Sequence, residues 1–125
     1  MKVVDSSGWL EYFAKGPNGP TFRDAIQSTE ELIVPTITFY EVFKRIMSQS
    51  EEEEVLKAIS WMARGTVVDL TQEIAMQAAA ISLEEKLAMA NSIILATARA
   101  WEAELWTQDE HFAGMEGVHY ILKGK

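Results

Sequence analysis

The run Asn91-Ser92-Ile93-Ile94-Leu95-Ala96-Thr97-Ala98, followed closely by Glu104-Leu105-Trp106-Thr107-Gln108-Asp109, decides the fold. The first part reads as a helix from Asn91 to Glu102 with apolar residues on most of its faces, which suits a central helix rather than a surface one. The second part, Glu104 to Thr107, is a short strand that runs directly into an acid. Working outward, the same alternation recurs. Val3-Val4 is a very short buried strand, stopped by the turn Asp5-Ser6-Ser7-Gly8, and Trp9 to Phe13 is a short helix with an aromatic face. Gly16-Pro17-Asn18-Gly19-Pro20 is a loop, and Thr21 to Ser28 is a helix with Phe22, Ala25 and Ile26 at helical spacing. Leu32-Ile33-Val34 is a strand stopped by Pro35, and Thr36 to Met47 is a helix with Phe39, Val42, Phe43 and Ile46 on one face. Glu51-Glu52-Glu53-Glu54 opens the next helix, which runs to about Ala63; acids suit the positive end of a helix dipole, so this run reads as a solvated helix start. Thr66 to Leu70 is a strand after Gly65, and Thr71 to Leu83 is a helix with Ile74, Ala78 and Ile81 on one side. Leu87 to Ala90 connects, and Val118 to Leu122 is a last strand.

Short apolar strands alternating with helices predict an α/β fold of three layers, with a short parallel sheet of about five strands covered by helices on both faces. Right-handed crossovers place every strand's C-terminal end on one edge, and ligands of open α/β sheets bind there. Asp5 follows the first strand, Glu41 lies about one turn into the helix after the second, Asn91 opens the central helix, and Asp109 follows the fourth strand. Clustered oxygen donors without Cys or His suit a hard cation, Mg²⁺ or Mn²⁺. A plainer explanation stands beside this. Asp5, Asn91 and Asp109 can each cap the helix that follows, and Thr38-Phe39-Tyr40-Glu41 matches a capping box. Separate caps have no reason to recur at one sheet edge, which favours a common site. Asp69, at the end of the third strand, reads as structural.

The chain has 125 residues, 48% of them hydrophobic and 24% charged, which fits one globular domain over residues 1–125 and excludes a disordered tail. It has no cysteine, so disulfides and thiolate metal sites are excluded. Eleven Lys and Arg against 19 Asp and Glu give a net charge of −8, so bulk electrostatics do not attract nucleic acid. A nucleic-acid partner then needs a local basic face or bridging cations. No apolar run approaches the roughly 20 residues of a membrane span, and Met1-Lys2-Val3-Val4-Asp5 turns polar too early for a signal peptide. A cytoplasmic protein is expected.

Four segments carry a resemblance: Val3-Val4-Asp5-Ser6-Ser7, Pro35-Thr36-Ile37-Thr38-Phe39-Tyr40-Glu41-Val42, Ala90-Asn91-Ser92-Ile93-Ile94-Leu95-Ala96-Thr97-Ala98, and Thr107-Gln108-Asp109-Glu110-His111-Phe112. In order and spacing they resemble the signature segments of the PIN domain, and the small form is similar to VapC-type toxins of prokaryotic toxin–antitoxin pairs. The resemblance implies a PIN-like fold and an endoribonuclease that uses Mg²⁺ or Mn²⁺ to hydrolyse RNA phosphodiesters. It also implies a homodimer and a cognate antitoxin that blocks the site. Asp5, Glu41 and Asp109 match the family's acidic positions as metal ligands, with Glu41 either a ligand or the group that orients a metal-bound water. Asn91 stands where the family has Asp; its amide oxygen can still coordinate but carries no charge. The substitution implies an attenuated or inactive chain, whether it arose naturally or was introduced to disarm a toxic nuclease.

Ser6 and Thr107 have hydroxyls near the expected edge, either supporting the metal ligands or bonding locally in turns. Lys44 and Arg45 are candidate phosphate contacts, with surface solvation the simpler role; Arg99 has a better claim only if its helix end reaches the groove. His111 and His119 show no paired ligand spacing. Trp9, Tyr12, Phe13, Phe22 and Trp61 are expected in the core, or in part lining a groove for a partner. Two other classes compete with a nuclease. A non-catalytic PIN-fold module that only engages an antitoxin or assembly partner would tolerate Asn91. A phosphoacceptor signalling domain would need a Lys after a late strand, and none follows Trp106-Thr107.

Overall fold

The computed structural model describes residues 1–124. Among them, five short strands form one sheet: β1 (Lys2–Val4), β2 (Leu32–Pro35), β3 (Thr66–Val68), β4 (Glu104–Thr107) and β5 (Val118–Tyr120). All neighbours are parallel, in the order β3-β2-β1-β4-β5. The helices between them are α1 (Ser6–Phe13), α2 (Gly19–Gln27), α3 (Thr36–Gln49), α4 (Glu52–Met62), α5 (Gln72–Glu85) and α6 (Met89–Ala100). The chain builds outward from β1 to β3, then returns to the other side of β1 for β4 and β5. The reversal leaves a switch point between β1 and β4, where the loops leaving the two strands diverge.

Period-two alternation divides the sheet between two cores. Val3 pairs with Ile33 on one side and Leu105 on the other, so the three share a face. They pack with Ile74, Ala78 and Ile81 of α5 and the body of α6. Val4, Leu32 and Val34 face the opposite way, against Trp9, Phe22, Ile26 and Met62. This is the expected three-layer α/β/α arrangement. The expected centrality of α6 is observed: every residue from Ser92 to Ala98 is buried. Its two polar members are satisfied within the helix, Ser92 donating to the Met89 carbonyl at 2.8 Å and Thr97 to that of Ile93 at 2.8 Å.

Several element ends differ from the sequence reading. α1 starts at Ser6 rather than Trp9, because Asp5 caps it and no turn separates it from β1. α6 starts at Met89 with Ala88 as its N-cap, so Asn91 lies inside the first turn and does not open the helix. The Thr38–Glu41 capping box does not form. α3 begins directly after Pro35, Thr38 is already helical, and its hydroxyl donates to the Pro35 carbonyl at 2.6 Å. β3 and β5 stop at Val68 and Tyr120, shorter than read. Of the five aromatics, Trp9 and Phe22 are fully buried, while Tyr12, Phe13 and Trp61 are half-buried at the edge of the α1 layer. No helix among the described residues is long and apolar enough to cross a membrane.

The tight passage from β1 into α1 depends on Gly8. A Cβ there would lie 2.6 Å from Val4 Cγ1 and 2.7 Å from Phe22 Cε1. Both neighbours are fully buried and have little room to yield. Ala gains up to about 1 kcal/mol of helix propensity over Gly, while overpacking a rigid core costs about 1–3 kcal/mol, so the clash dominates. Gly8→Ala is expected to lose about 1–2 kcal/mol in urea unfolding; a gain in the unfolding midpoint would contradict the packing described for this junction.

Candidate active site

β1 ends at Val4, and Asp5 is the first residue beyond it, still tied to the sheet by its N–H donating to the Trp106 carbonyl at 3.1 Å. Its side chain turns back over the start of α1 and is only 3% exposed. Oδ1 accepts from the Gly8 N–H at 3.0 Å and from the Ser7 hydroxyl at 2.8 Å. Oδ2 accepts from the Thr107 hydroxyl at 2.7 Å. Thr107 is the last residue of β4, so this bond spans the switch point. The same Thr107 oxygen accepts from the Asp109 N–H at 2.9 Å, which fixes the loop that carries Asp109.

Asp109 caps a short 3-10 turn, its Oδ1 accepting from the His111 N–H at 2.9 Å and lying 2.7 Å from His111 Nδ1. Its Oδ2 faces Asn91 Nδ2 at 3.4 Å. Asp5, Asn91 and Asp109 therefore meet at one edge, although they come from three segments. Glu41 stands beside them rather than among them: its Oε1 accepts from the Ser6 hydroxyl at 2.6 Å, and Ser6 is the residue after Asp5. Among the described residues, no three His, Cys, Asp or Glu side chains lie close enough together to hold a metal ion. Capping and a shared edge are not alternatives here: Asp5 caps α1, Asp109 caps the 3-10 turn, and Thr107 ties the two together.

Burial pushes the Asp5 carboxyl up, from an ordinary 3.8 to about 6. The bonds from Thr107, Ser7 and Gly8 pull the other way, and the Asp109 charge adds to the rise. Three neutral donors thus fail to offset desolvation plus a like charge. A buried anion in this condition is short of positive charge.

Other residues fall as follows. Ser7 and Gln108 adjoin the candidate site, and the sequence reading missed both. Ser7 contacts both Asp5 oxygens, and buried Gln108 accepts from Asn18 Nδ2 at 2.9 Å, bracing the loop before Asp109. The Ser6-Ser7 doublet after Asp5 carried the signal for Ser7; nothing in the sequence marked Gln108. Arg99 lies at the other end of the sheet, near the start of β4, where it donates to the Glu116 carbonyl. Lys44 sits over the Tyr40 ring, 5.7 Å from its centroid, on the exposed face of α3. His119 stacks on Trp106, 4.2 Å between ring centroids, on a face of the sheet.

The sequence profile of the PIN domain matches residues 2–118. The chain belongs to the PIN domain family. This PIN domain is similar in fold to a toxin–antitoxin complex from Klebsiella pneumoniae, at 24% identity and a TM-score of 0.80 over 97% of this chain and 100% of that one. It is also similar to the VapBC2 complex from Rickettsia felis bound to a promoter DNA fragment, at 12% identity and a TM-score of 0.76 over 96% of each chain. A VapC toxin from Mycobacterium tuberculosis, described as cleaving the sarcin-ricin loop, aligns at 16% identity and a TM-score of 0.74 over 94% of this chain and 98% of that one. No curated protein matches the chain in sequence.

The raised Asp5 carboxyl has a consequence for stability. The fold favours the protonated form, so this contribution is fully present below about 3.8 and is lost as pH rises through about 6. Asn keeps the N-cap acceptor and carries no charge. In EDTA, Asp5→Asn is expected to flatten the fall in stability over that window and to be roughly 2 kcal/mol more stable than the parent near pH 7. Urea unfolding across a pH series measures it; a variant that is less stable at neutral pH would contradict the burial argument.

Proposed function

We infer that this PIN domain is a Mg²⁺- or Mn²⁺-dependent endoribonuclease toxin of a toxin–antitoxin pair, attenuated or silenced by Asn91. The observation that carries the inference is the meeting of Asp5, Asn91 and Asp109 at the switch-point edge of a PIN fold. The donor set is oxygen-only, and Mg²⁺ is commonly held by one or two carboxylates, with water and substrate phosphate completing its shell. Two carboxylates and one amide oxygen fit such a weakly anchored cation, and the charge-starved Asp5 calls for one. Asp5 and Asp109 would hold it, with Asn91 contributing its amide oxygen. When bound, the cation supplies charge to the scissile phosphate and lowers the barrier to attack by water. It also offsets the repulsion between an acidic chain and RNA.

The chain's own residues set the geometry. Thr107 fixes Asp5 through its hydroxyl and Asp109 through that residue's N–H, so the two acids keep one separation. Ser7 holds the Asp5 carboxylate from the other side. Ser6 restrains Glu41 beside the pair, where a carboxylate can orient an incoming water. An antitoxin and a second copy of this chain are the proposed protein partners, and the cytoplasm is the proposed compartment. The toxin–antitoxin complexes of similar fold support the antitoxin. So does a cleft of about 230 Å³ where half-buried Phe13 and Trp61 face Ile46, open to a partner segment.

Two observations favour the non-catalytic reading, a PIN-fold module that only engages partners. No group of three acidic, His or Cys side chains sits within metal-binding reach among the described residues. The amide at Asn91 donates toward Asp109, an interaction a carboxylate could not make. Cleavage of total RNA by the parent and by Asn91→Asp, with Mg²⁺ or Mn²⁺ and with EDTA, separates the two. The nuclease reading expects Asn91→Asp to cut at least about a hundredfold faster than the parent, as for loss of one important electrostatic group at a reacting centre, and EDTA to stop it. Two folded proteins that both fail to cut would leave the binding module as the function.

A further inference from the structure

A cavity of about 450 Å³ opens beside Asp109, lined by Ser7, Gln108, His111, Tyr120 and Lys123 together with the acids Asp109 and Glu110. Ser7 is the hydroxyl that grips Asp5, so the cavity is continuous with the candidate active site. Tyr120 ends β5 in register with Thr107, which brings its ring to the same sheet edge. It is only half-buried and belongs to neither apolar core. His111 forms a second ring on the wall, held in place by Asp109. Lys123 is exposed and, among the described residues, is the one ammonium group lining a cavity otherwise rich in acids. Gln108, at its floor, is buried and fixed by Asn18.

We propose that this cavity is a nucleotide subsite that takes one unpaired RNA base against Tyr120 and the neighbouring phosphate against Lys123. The proposal rests on the nuclease reading above and deepens it by assigning one base and one phosphate of the substrate to named residues beside Asp109. Proteins grip single strands with aromatic platforms and local cations, because every base has a face to stack and every nucleotide a phosphate. A neutral base is also the part of a nucleotide that tolerates Asp109 and Glu110 nearby. The phosphate is repelled there, and Lys123 is where it is accepted. In a chain of net charge −8, this placement lets the substrate approach without a broad basic face.

Binding of a labelled short single-stranded RNA, followed by fluorescence anisotropy in Mg²⁺ over a salt series, tests the subsite. Tyr120→Ala is expected to raise Kd about tenfold, and Tyr120→Phe, which keeps the stacking face, to stay near the parent. Lys123→Ala is expected to lower the slope of log affinity against log salt by about one. Amide NMR shifts of His111, Tyr120 and Lys123 on adding RNA to the parent give a readout that needs no variant. The subsite is overturned if the parent binds RNA while both alanine variants bind equally well and these amides stay still; cation-dependent cleavage by Asn91→Asp would then survive without it. If the parent binds no RNA and Asn91→Asp cuts none, the nuclease reading fails and the subsite falls with it.

Discussion

The Asp5 carboxylate, 3% exposed at the end of the central strand, accepts hydrogen bonds from Ser7, Gly8 and Thr107. Most of the local architecture follows from that one group. Its bond to the Gly8 N–H starts α1 directly at the sheet edge. The close turn that results brings Gly8 against Val4 and Phe22, where no side chain fits. Its bond to Thr107 joins β1 to β4 across the switch point, and Thr107 in turn sets Asp109. A single buried anion thus organises a helix start, a strand junction and the loop bearing the second acid.

Electrostatics explain why such an arrangement needs a reason. Burying a carboxylate beside another acid costs free energy that neutral hydrogen bonds only partly offset, and the upward push on Asp5 records the deficit. Asn91 eases it. Its amide donor faces Asp109 Oδ2, where a third carboxylate would add repulsion. Under the proposed nuclease reading, the same amide that eases the repulsion would weaken the hold on a cation, so stability and cation affinity would pull in opposite directions at position 91, as they commonly do at functional sites.

Much of this was legible in the sequence. The five apolar strands and the all-round apolar helix before β4 identified a parallel sheet with two covered faces. The acids directly after β1 and β4 then had to share an edge, because parallel crossovers leave no other place for them. Helix starts were harder to read. Asn91 follows three residues with no capping side chain of their own, so a polar residue in the first turn looked like the cap, while the backbone of Ala88 begins the helix unaided. The Thr38–Glu41 pattern failed for a related reason. Pro35 ends β2 with φ already near −64°, so the chain enters α3 without a cap. Glu41 then turned to Ser6, a partner 35 residues away that no local pattern reveals. Gln108 was invisible for the same reason, since its burial depends on Asn18 and Glu11 from a distant loop and helix.

A cation-dependent nuclease needs its divalent cation at the switch-point edge. The proposed function puts it at the edge held by Asp5 and Asp109; the alternative is the exposed Glu51–Glu54 run at the start of α4. Titrating Mn²⁺ into isotope-labelled chain and following paramagnetic broadening of its amide signals distinguishes them. Broadening that begins at Asp5, Ser6, Asn91 and Asp109 and spreads outward is the expected result. Broadening confined to Glu51–Glu54, with the switch-point amides untouched, would contradict the central claim.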